Sequence, residues 1–184
     1  MGKPSAAVTP TRPDSNSDVI VRLVDAARAG DRSAFAEIFA IYRRTVRGIV
    51  LSRVPYAEAD DLVQDVFLQA MERLPSLREP AAFPGWLAAI ARNRATDCLR
   101  ARPRTTPLTD DFPIADADRT EALLVLAHIQ SLPDAYSETL TLRLIEGMTG
   151  PEIAARTGLT EGSVRVNLHR GMKQLRERLE RKPA

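Results

Sequence analysis

The sequence predicts an all-α protein of two small helical domains, an N-terminal helical bundle and a C-terminal four-helix domain, joined by a flexible linker. Apolar residues recur at helical spacing through residues 18–102 and again through residues 120–181, and the second stretch contains a helix-turn-helix pattern. Residues 103–119 contain three prolines and no periodicity, as expected of a linker. At 184 residues the chain is long enough for each domain to bury a modest core.

The N-terminal domain is predicted to follow a disordered tail, residues 1–17, which is rich in Pro, Ser and Thr. Asp18 is expected to cap a first helix that ends near Gly30, and Ser33 to cap a second helix with an apolar stripe. Pro55 ends that second helix. Residues 75–84, which begin and end with proline, predict a loop after the third helix.

The third helix, predicted over residues 57–74, has an apolar half and an acidic half. Its outer arc contains Asp61, Gln64, Asp65 and Leu68. An acidic arc is ordinarily just a solvated face. A leucine in the middle of it favours a protein-binding surface with an apolar centre and a charged rim.

The fourth helix, predicted over residues 85–102, carries Arg92, Asn93 and Arg100 on its outer arc. Five arginines lie between residues 92 and 104, against the single acid Asp97. A solvated helix usually mixes charge signs, so this composition favours a surface that binds nucleic-acid phosphates. Cys98 falls on the apolar side of the helix and is interpreted as a packing residue, in preference to a redox sensor or nucleophile.

The C-terminal domain is predicted to begin with helices from Thr120 and near Asp134, the latter with a buried stripe of Tyr136, Leu140, Leu144 and Ile145. A helix-turn-helix follows. Thr149 and Glu152 have the spacing of a capping box, Gly158 suits the turn, and Thr160 can cap the last helix.

The last helix has an apolar arc that includes Met172 and Leu179, and an opposite, cationic arc. The cationic arc predicts a recognition helix for the DNA major groove, in which arginine pairs with guanine and Val166 contacts a thymine methyl. Thr160, Ser163 and Lys173 are expected to bind phosphates, which orient the helix without reading sequence. A solvated surface helix is the alternative. The cationic arc contains Arg165, Val166, His169, Arg170, Lys173 and Arg176.

Several classes of protein are disfavoured by what the sequence does not contain. A single cysteine allows no intrachain disulfide or cysteine-based metal cluster, and no signal-peptide core or membrane-spanning run is present. Glycine-rich phosphate loops, nucleophile elbows and HExxH motifs are missing. The sequence therefore predicts a cytoplasmic protein that is not an enzyme and needs no cofactor or metal.

Four segments, taken together and in order, resemble the bacterial sigma factors of the sigma-70 family. They are similar to the extracytoplasmic-function (ECF) group, which keeps only regions 2 and 4. The segments are DDLVQDVF, FPGWLAAIARNRATDCLR, the proline-rich linker, and LPDAYSETLTLRLIEGMTGPEIAARTGLTEGSVRVNLHRGMKQLRERL. The resemblance implies that residues 18–102 form region 2 and residues 120–181 form region 4.

The resemblance implies several partners. Asp61, Gln64, Asp65 and Leu68 would dock on the clamp helices of the polymerase beta-prime subunit, and the beta flap would also be contacted. An anti-sigma factor is implied as a further partner. The linker would thread toward the polymerase cleft with its acids, Asp110, Asp111, Asp116 and Asp118.

The resemblance also implies two DNA contacts. The helix-turn-helix would bind the −35 element, and region 2 would bind the −10 element and capture a base flipped from the non-template strand. The region 2 residues concerned are Leu77, Arg78, Ile90, Arg92, Asn93 and Arg100. The implied function is promoter recognition, DNA melting and transcription initiation with core polymerase. A stand-alone helix-turn-helix regulator and a hydrolase that uses Cys98 are the alternatives.

Overall fold

The computed structural model describes residues 16–101 and 117–180, with side chains from residues 17 and 121 onward in the two ranges. All regular structure in these ranges is helical, which confirms the predicted class. The predicted tail up to residue 15 lies outside the described residues. So do the linker acids Asp110, Asp111 and Asp116 and the side chain of Asp118.

Residues 16–101, here called the first half, form a bundle of four helices. The central helix α2 contacts the other three around one apolar core, which includes Ile38, Ile49, Phe83 and Leu87. Two short 3-10 turns occupy the predicted loop between α3 and α4. The helices are α1 (Asn16–Arg28), α2 (Arg32–Leu51), α3 (Tyr56–Arg73) and α4 (Phe83–Ala101).

The predicted helix caps of the first half were wrong. Helix α1 begins at Asn16, so Asp18 lies in its first turn. The cap of α2 is Asp31, whose Oδ1 accepts hydrogen bonds from the backbone N–H groups of Ser33 at 2.8 Å and Ala34 at 3.3 Å. The hydroxyl of Ser33 also donates to Asp31, and these bonds lower the pKa of the Asp31 carboxyl.

Residues 117–180, the second half, contain the predicted helix-turn-helix. The capping box is present: the Glu152 N–H donates to Thr149 Oγ1, and the Thr149 N–H donates to Glu152 Oε2 at 2.7 Å. Gly158 ends the first helix of the motif with φ of 76°, a conformation that favours glycine. The helices are α5 (Ala117–Gln130), α6 (Asp134–Leu140), α7 (Gly150–Thr157) and α8 (Glu161–Glu180).

A π-helical turn, Thr141–Ile145, continues α6 and corrects its predicted buried stripe. The Glu146 N–H donates to the Thr141 carbonyl at 3.1 Å, five residues back. This wider turn shifts the helical phase, so that Leu142 is fully buried while the predicted Leu144 is 44% exposed.

The two halves pack directly against each other. Helix α4 lies against α7, and α2 lies against the π-helical turn. The Gln130 amide donates to the carbonyls of Leu51 at 2.7 Å and Val54 at 2.8 Å, which join α5 to the end of α2. A Cβ atom at Gly158 would lie 2.9 Å from the Gly85 Cα, so the backbones approach closely only because both residues are glycine.

Candidate nucleic-acid interface

The predicted recognition residues form one exposed face of α8, here called the recognition face. Thr160 caps the helix by accepting from the Ser163 N–H at 3.1 Å, and the two hydroxyls are 2.8 Å apart. This places both hydroxyls at the positive N-terminal end of α8, where anions are favoured. The recognition face consists of Thr160, Ser163, Arg165, Val166, His169, Arg170 and Lys173, all of them exposed.

The opposite side of α8 fixes the direction of this face. Val164 and Leu175 are buried against the rest of the second half. A Cβ atom at Gly171 would lie 3.0 Å from Leu140 Cδ1, so α8 and α6 are in close contact there. The predicted apolar arc was too wide, because Met172 and Leu179 are 38% and 49% exposed.

A polar groove of about 320 Å³ lies between α3 and α4 beside the predicted −10 residues. Asn93 and Arg100 contribute to it and are exposed, and Arg78 is exposed in the preceding connection. Leu77 and Ile90 are only 7% and 6% exposed and belong to the core, and of the two only Ile90 lines the groove. The groove is lined by Gln69, Arg73, Ile90, Asn93, Arg94, Thr96, Asp97 and Arg100.

The contribution of α3 and of Arg94 to this groove does not follow from the sequence pattern. Gln69 and Arg73 reach it from the neighbouring helix, and no single-helix pattern reveals such convergence. Arg94 Nη2 donates to Asp65 at 2.6 Å, while its Nε is buried with no hydrogen-bond partner among the described residues. The Arg94 side chain is therefore only partly exposed, at 36%.

Arg92 departs from the predicted open surface. Its Nε and Nη2 donate to the two carboxylate oxygens of Glu138, at 2.9 and 2.7 Å, in a bidentate pair. The hydrogen bond that Arg92 donates to Glu138 is the main reason that the pKa of Arg92 is raised. Glu138 belongs to α6, so the second half covers this residue of the predicted −10 surface.

The acidic face of α3, Asp61, Gln64, Asp65 and Leu68, is exposed as predicted, with Leu68 at 56%. It borders an apolar groove of about 270 Å³ that the sequence did not predict, because its aromatic residues look like core on a helical wheel. The Phe39 and Phe67 rings pack in its floor, with centroids 4.6 Å apart. The groove is lined by Phe35, Phe39, Gln64, Phe67, Leu68 and Met71.

Comparison with known proteins shows the family of this chain. Residues 38–105 match the family model "Sigma-70 region 2", and residues 122–175 match "Sigma-70, region 4". The chain is 30% identical over 168 residues to the ECF RNA polymerase sigma-E factor of Escherichia coli (strain K12), an alignment that covers 80% of this chain and 87% of the relative. The chain belongs to the ECF sigma factors of the sigma-70 family. The same identity and coverage hold for the sigma-E factor of Salmonella typhimurium (strain LT2).

A solved structure extends the likeness to three dimensions. The chain resembles CnrH, determined in complex with the cytosolic domain of CnrY, with a TM-score of 0.64 and 27% identity over 90% of this chain and 100% of that one. Sigma factors of this family are non-enzymatic initiation factors that act with RNA polymerase and DNA, and this sigma factor recognises promoters. Within the described ranges, no helix combines the length and the apolar character needed to cross a membrane.

Proposed function

We propose that this sigma factor binds a promoter at two places, with the second half on the −35 element and the first half on the −10 element. The proposal rests above all on the recognition face, which keeps every predicted residue exposed along one side of a well-anchored helix. The domain boundaries proposed with it are residues 18–102 for region 2, residues 103–119 for the linker and residues 120–181 for region 4.

The recognition face suits the major groove because it combines base-reading and phosphate-binding chemistry. Arg165 and Arg170 can each pair with a guanine, His169 can bond a base edge, and Val166, 42% exposed, can pack on a thymine methyl. The hydroxyls of Thr160 and Ser163 lie at the N-terminal end of α8, and Lys173 lies about three turns further along. These three would bind phosphates and fix the register.

The polar groove between α3 and α4 would receive an unpaired base of the −10 element and assist DNA melting. Flipping a base costs a few kcal/mol, which a pocket with hydrogen-bonding side chains and nearby cations can offset. Asn93 supplies the amide, and Arg78 and Arg100 supply charge near the strand. Leu77 and Ile90 would support these residues, and Arg92 would join the surface only when Glu138 leaves it.

The acidic face would bind the clamp helices of the polymerase beta-prime subunit, with Leu68 entering an apolar site and the acids meeting its charged rim. The second half would contact the beta flap. An anti-sigma factor would bind the sigma factor, in line with the solved structure of CnrH in complex with the cytosolic domain of CnrY. These partners imply a cytoplasmic protein that catalyses no reaction and carries no cofactor.

Run-off transcription with purified core polymerase on a library of promoter sequences tests the proposal. The full chain should support initiation with core enzyme and bind promoter duplex weakly alone. Arg170→Ala should reduce initiation at promoters that depend on their −35 element, whereas Arg32→Ala, which removes an exposed arginine from the start of α2, should not. A chain that footprints DNA by itself and never activates core polymerase would instead be a stand-alone regulator.

A further inference from the structure

The polar groove between α3 and α4 contains cations that the predicted −10 residues leave out. Gln69 and Arg73 lie four residues apart on α3, so their side chains share one face of that helix, and both line the groove. Arg94 lines the same groove from α4. The groove therefore has basic side chains on both of its helices.

Arg94 is anchored at one atom and keeps other donors in reserve. Its Nη2 donates to Asp65 Oδ2 at 2.6 Å, a short charge-assisted hydrogen bond that holds the guanidinium against α3. A guanidinium has five N–H donors, and neither Nε nor Nη1 has an acceptor among the described residues. Arg94 is thus fixed in position and still able to bind a second anion.

Arg73 has no such anchor. It is the last residue of α3, it is exposed, and its guanidinium has no acceptor in the part of the chain that the structure describes. Arg100, by contrast, lies 3.9 Å from Asp97, an acid that also lines the groove. The groove is lined by three arginines and one aspartate, and this excess of positive charge favours an anionic ligand.

The two arginines are held at different levels of the groove. Arg94 is bound at Asp65, which lies two helical turns before Arg73, or about 12 Å along α3 at 1.5 Å per residue. An extended DNA strand presents its phosphates one after another along its length. The separation therefore suits two phosphates of one strand, one for each arginine, better than a single shared phosphate.

We propose that Arg73 and Arg94 form a phosphate track, in which each binds a different backbone phosphate of the unpaired −10 strand while Asn93 meets a base. Arg94 binds through Nη1 and the second hydrogen of Nη2, the edge of the guanidinium that Asp65 leaves open. Contacts of this kind hold the strand in register without reading its sequence. The phosphate track rests on the proposed binding of the −10 element.

Neutralising one phosphate at a time tests the track in the holoenzyme formed by the full chain and core polymerase. The probe is a single-stranded DNA oligonucleotide with the non-template −10 sequence of an active promoter from the run-off library. In each version one phosphate is replaced by an uncharged methylphosphonate. Arg94→Ala should weaken binding of the unmodified probe about 10-fold and should cancel the effect of the methylphosphonate at one position. Arg73→Ala should do the same at a different position.

Sequence independence distinguishes phosphate contacts from base contacts. Each alanine variant should weaken the −10 probe and a scrambled probe of the same composition by the same factor. Each should also reduce the slope of log affinity against log salt by about 0.7. Arg94→Lys should keep that slope, because it keeps the charge, and recover only part of the affinity, because lysine lacks the planar fork. Arg32→Ala is the matched control, since this exposed arginine does not line the groove, and it should change neither quantity.

The outcomes of this experiment are separable. Variants whose effects are additive with every methylphosphonate, as expected of Arg32→Ala, would overturn the phosphate track, and so would an effect confined to the −10 sequence. Arg73→Ala removes no side-chain contact within the described residues, so its result decides even if Arg94→Ala destabilises the bundle. A holoenzyme that binds neither probe would overturn the proposed −10 contact together with the track, whereas binding with only additive effects would overturn the track alone.

Discussion

Replacing Gly48 by alanine should weaken the docking of the two halves while it strengthens α2. A Cβ atom at Gly48 would lie 2.5 Å from Leu142 Cδ2 and 3.1 Å from Glu146 Cγ, both in the second half. Leu142 is fully buried, so its side chain has little room to move aside. Inserting a methyl group into such a contact costs about 1–3 kcal/mol.

The same methyl group has the opposite effect within the helix. Alanine is favoured over glycine by up to about 1 kcal/mol in a helix interior. That gain is present both when the halves are separated, the open form, and when they are docked, the closed form. It therefore raises the stability of the first half without changing the docking equilibrium. The steric cost applies only to the closed form and should raise the ratio of open to closed molecules by about 5- to 150-fold.

Fluorescence energy transfer between dyes on Ala36→Cys and Ala127→Cys, one in each half of a Cys98→Ser chain, reports whether the halves are docked. Thermal unfolding reports the stability of the first half. Gly48→Ala should lower the high-transfer population and should not reduce the stability of the first half. Gly162→Ala is the matched control, because the nearest atom to its Cβ would be Thr160 Oγ1 at 3.9 Å. Unchanged transfer in Gly48→Ala, or a first half that unfolds more easily, would refute this reasoning.

The remaining predictions concern the recognition face, the acidic face and the capping box. Arg165→Ala should cost about 1–3 kcal/mol on a specific −35 duplex and relax discrimination at one base pair, measured by binding to single-base variants. Lys173→Ala should weaken binding to all sequences alike and reduce the slope of log affinity against log salt by about one. Leu68→Asp should reduce polymerase binding in a pull-down without lowering the melting temperature, since the side chain is 56% exposed, and a loss of helicity would contradict it. Thr149→Ala should destabilise the second half by about 1 kcal/mol in thermal unfolding. For its partner Glu152, hydrogen bonds from the Thr149 N–H and hydroxyl lower the pKa below its ordinary value of 4.5. The stability due to Glu152 is therefore complete above that value and lost as the pH falls through the lowered pKa; Glu152→Gln should abolish this part of the acid dependence of the melting temperature.

The features predicted correctly from the sequence are those that depend on neighbouring residues. The capping box of α7 joins Thr149 to Glu152 within one helical turn, and the left-handed turn needs only Gly158 itself. The recognition face also follows from periodicity, because α8 is one uninterrupted α-helix whose buried side includes Val164 and Leu175. Local chemistry is sufficient in each of these cases.

The features that were missed depend on contacts between distant residues. The π-helical turn that buries Leu142 in place of Leu144 fits this residue against Gly48, which lies in another helix. On a helical wheel Arg92 looks as external as Arg100, because a wheel shows the side of one helix and not what covers it. Glu138 likewise looks like a solvated residue on a helical wheel, because the wheel does not show that Arg53 and Arg92 of the first half contact it.

The apolar contacts between the halves determine the free-energy cost of separating them. Leu126 of α5 is 4% exposed within the core of the first half, and Ile145 packs against the same core. A fully buried aliphatic side chain contributes about 1.5–3 kcal/mol relative to an exposed one, so separating the halves is unfavourable for the free chain. Only molecules with separated halves can use Arg92 to bind DNA. The apparent affinity of this surface is therefore its intrinsic affinity multiplied by the fraction of such molecules. Polymerase that holds the two halves apart would remove this penalty, so the −10 surface beside Arg92 should bind promoter weakly in the free chain and tightly in the complex.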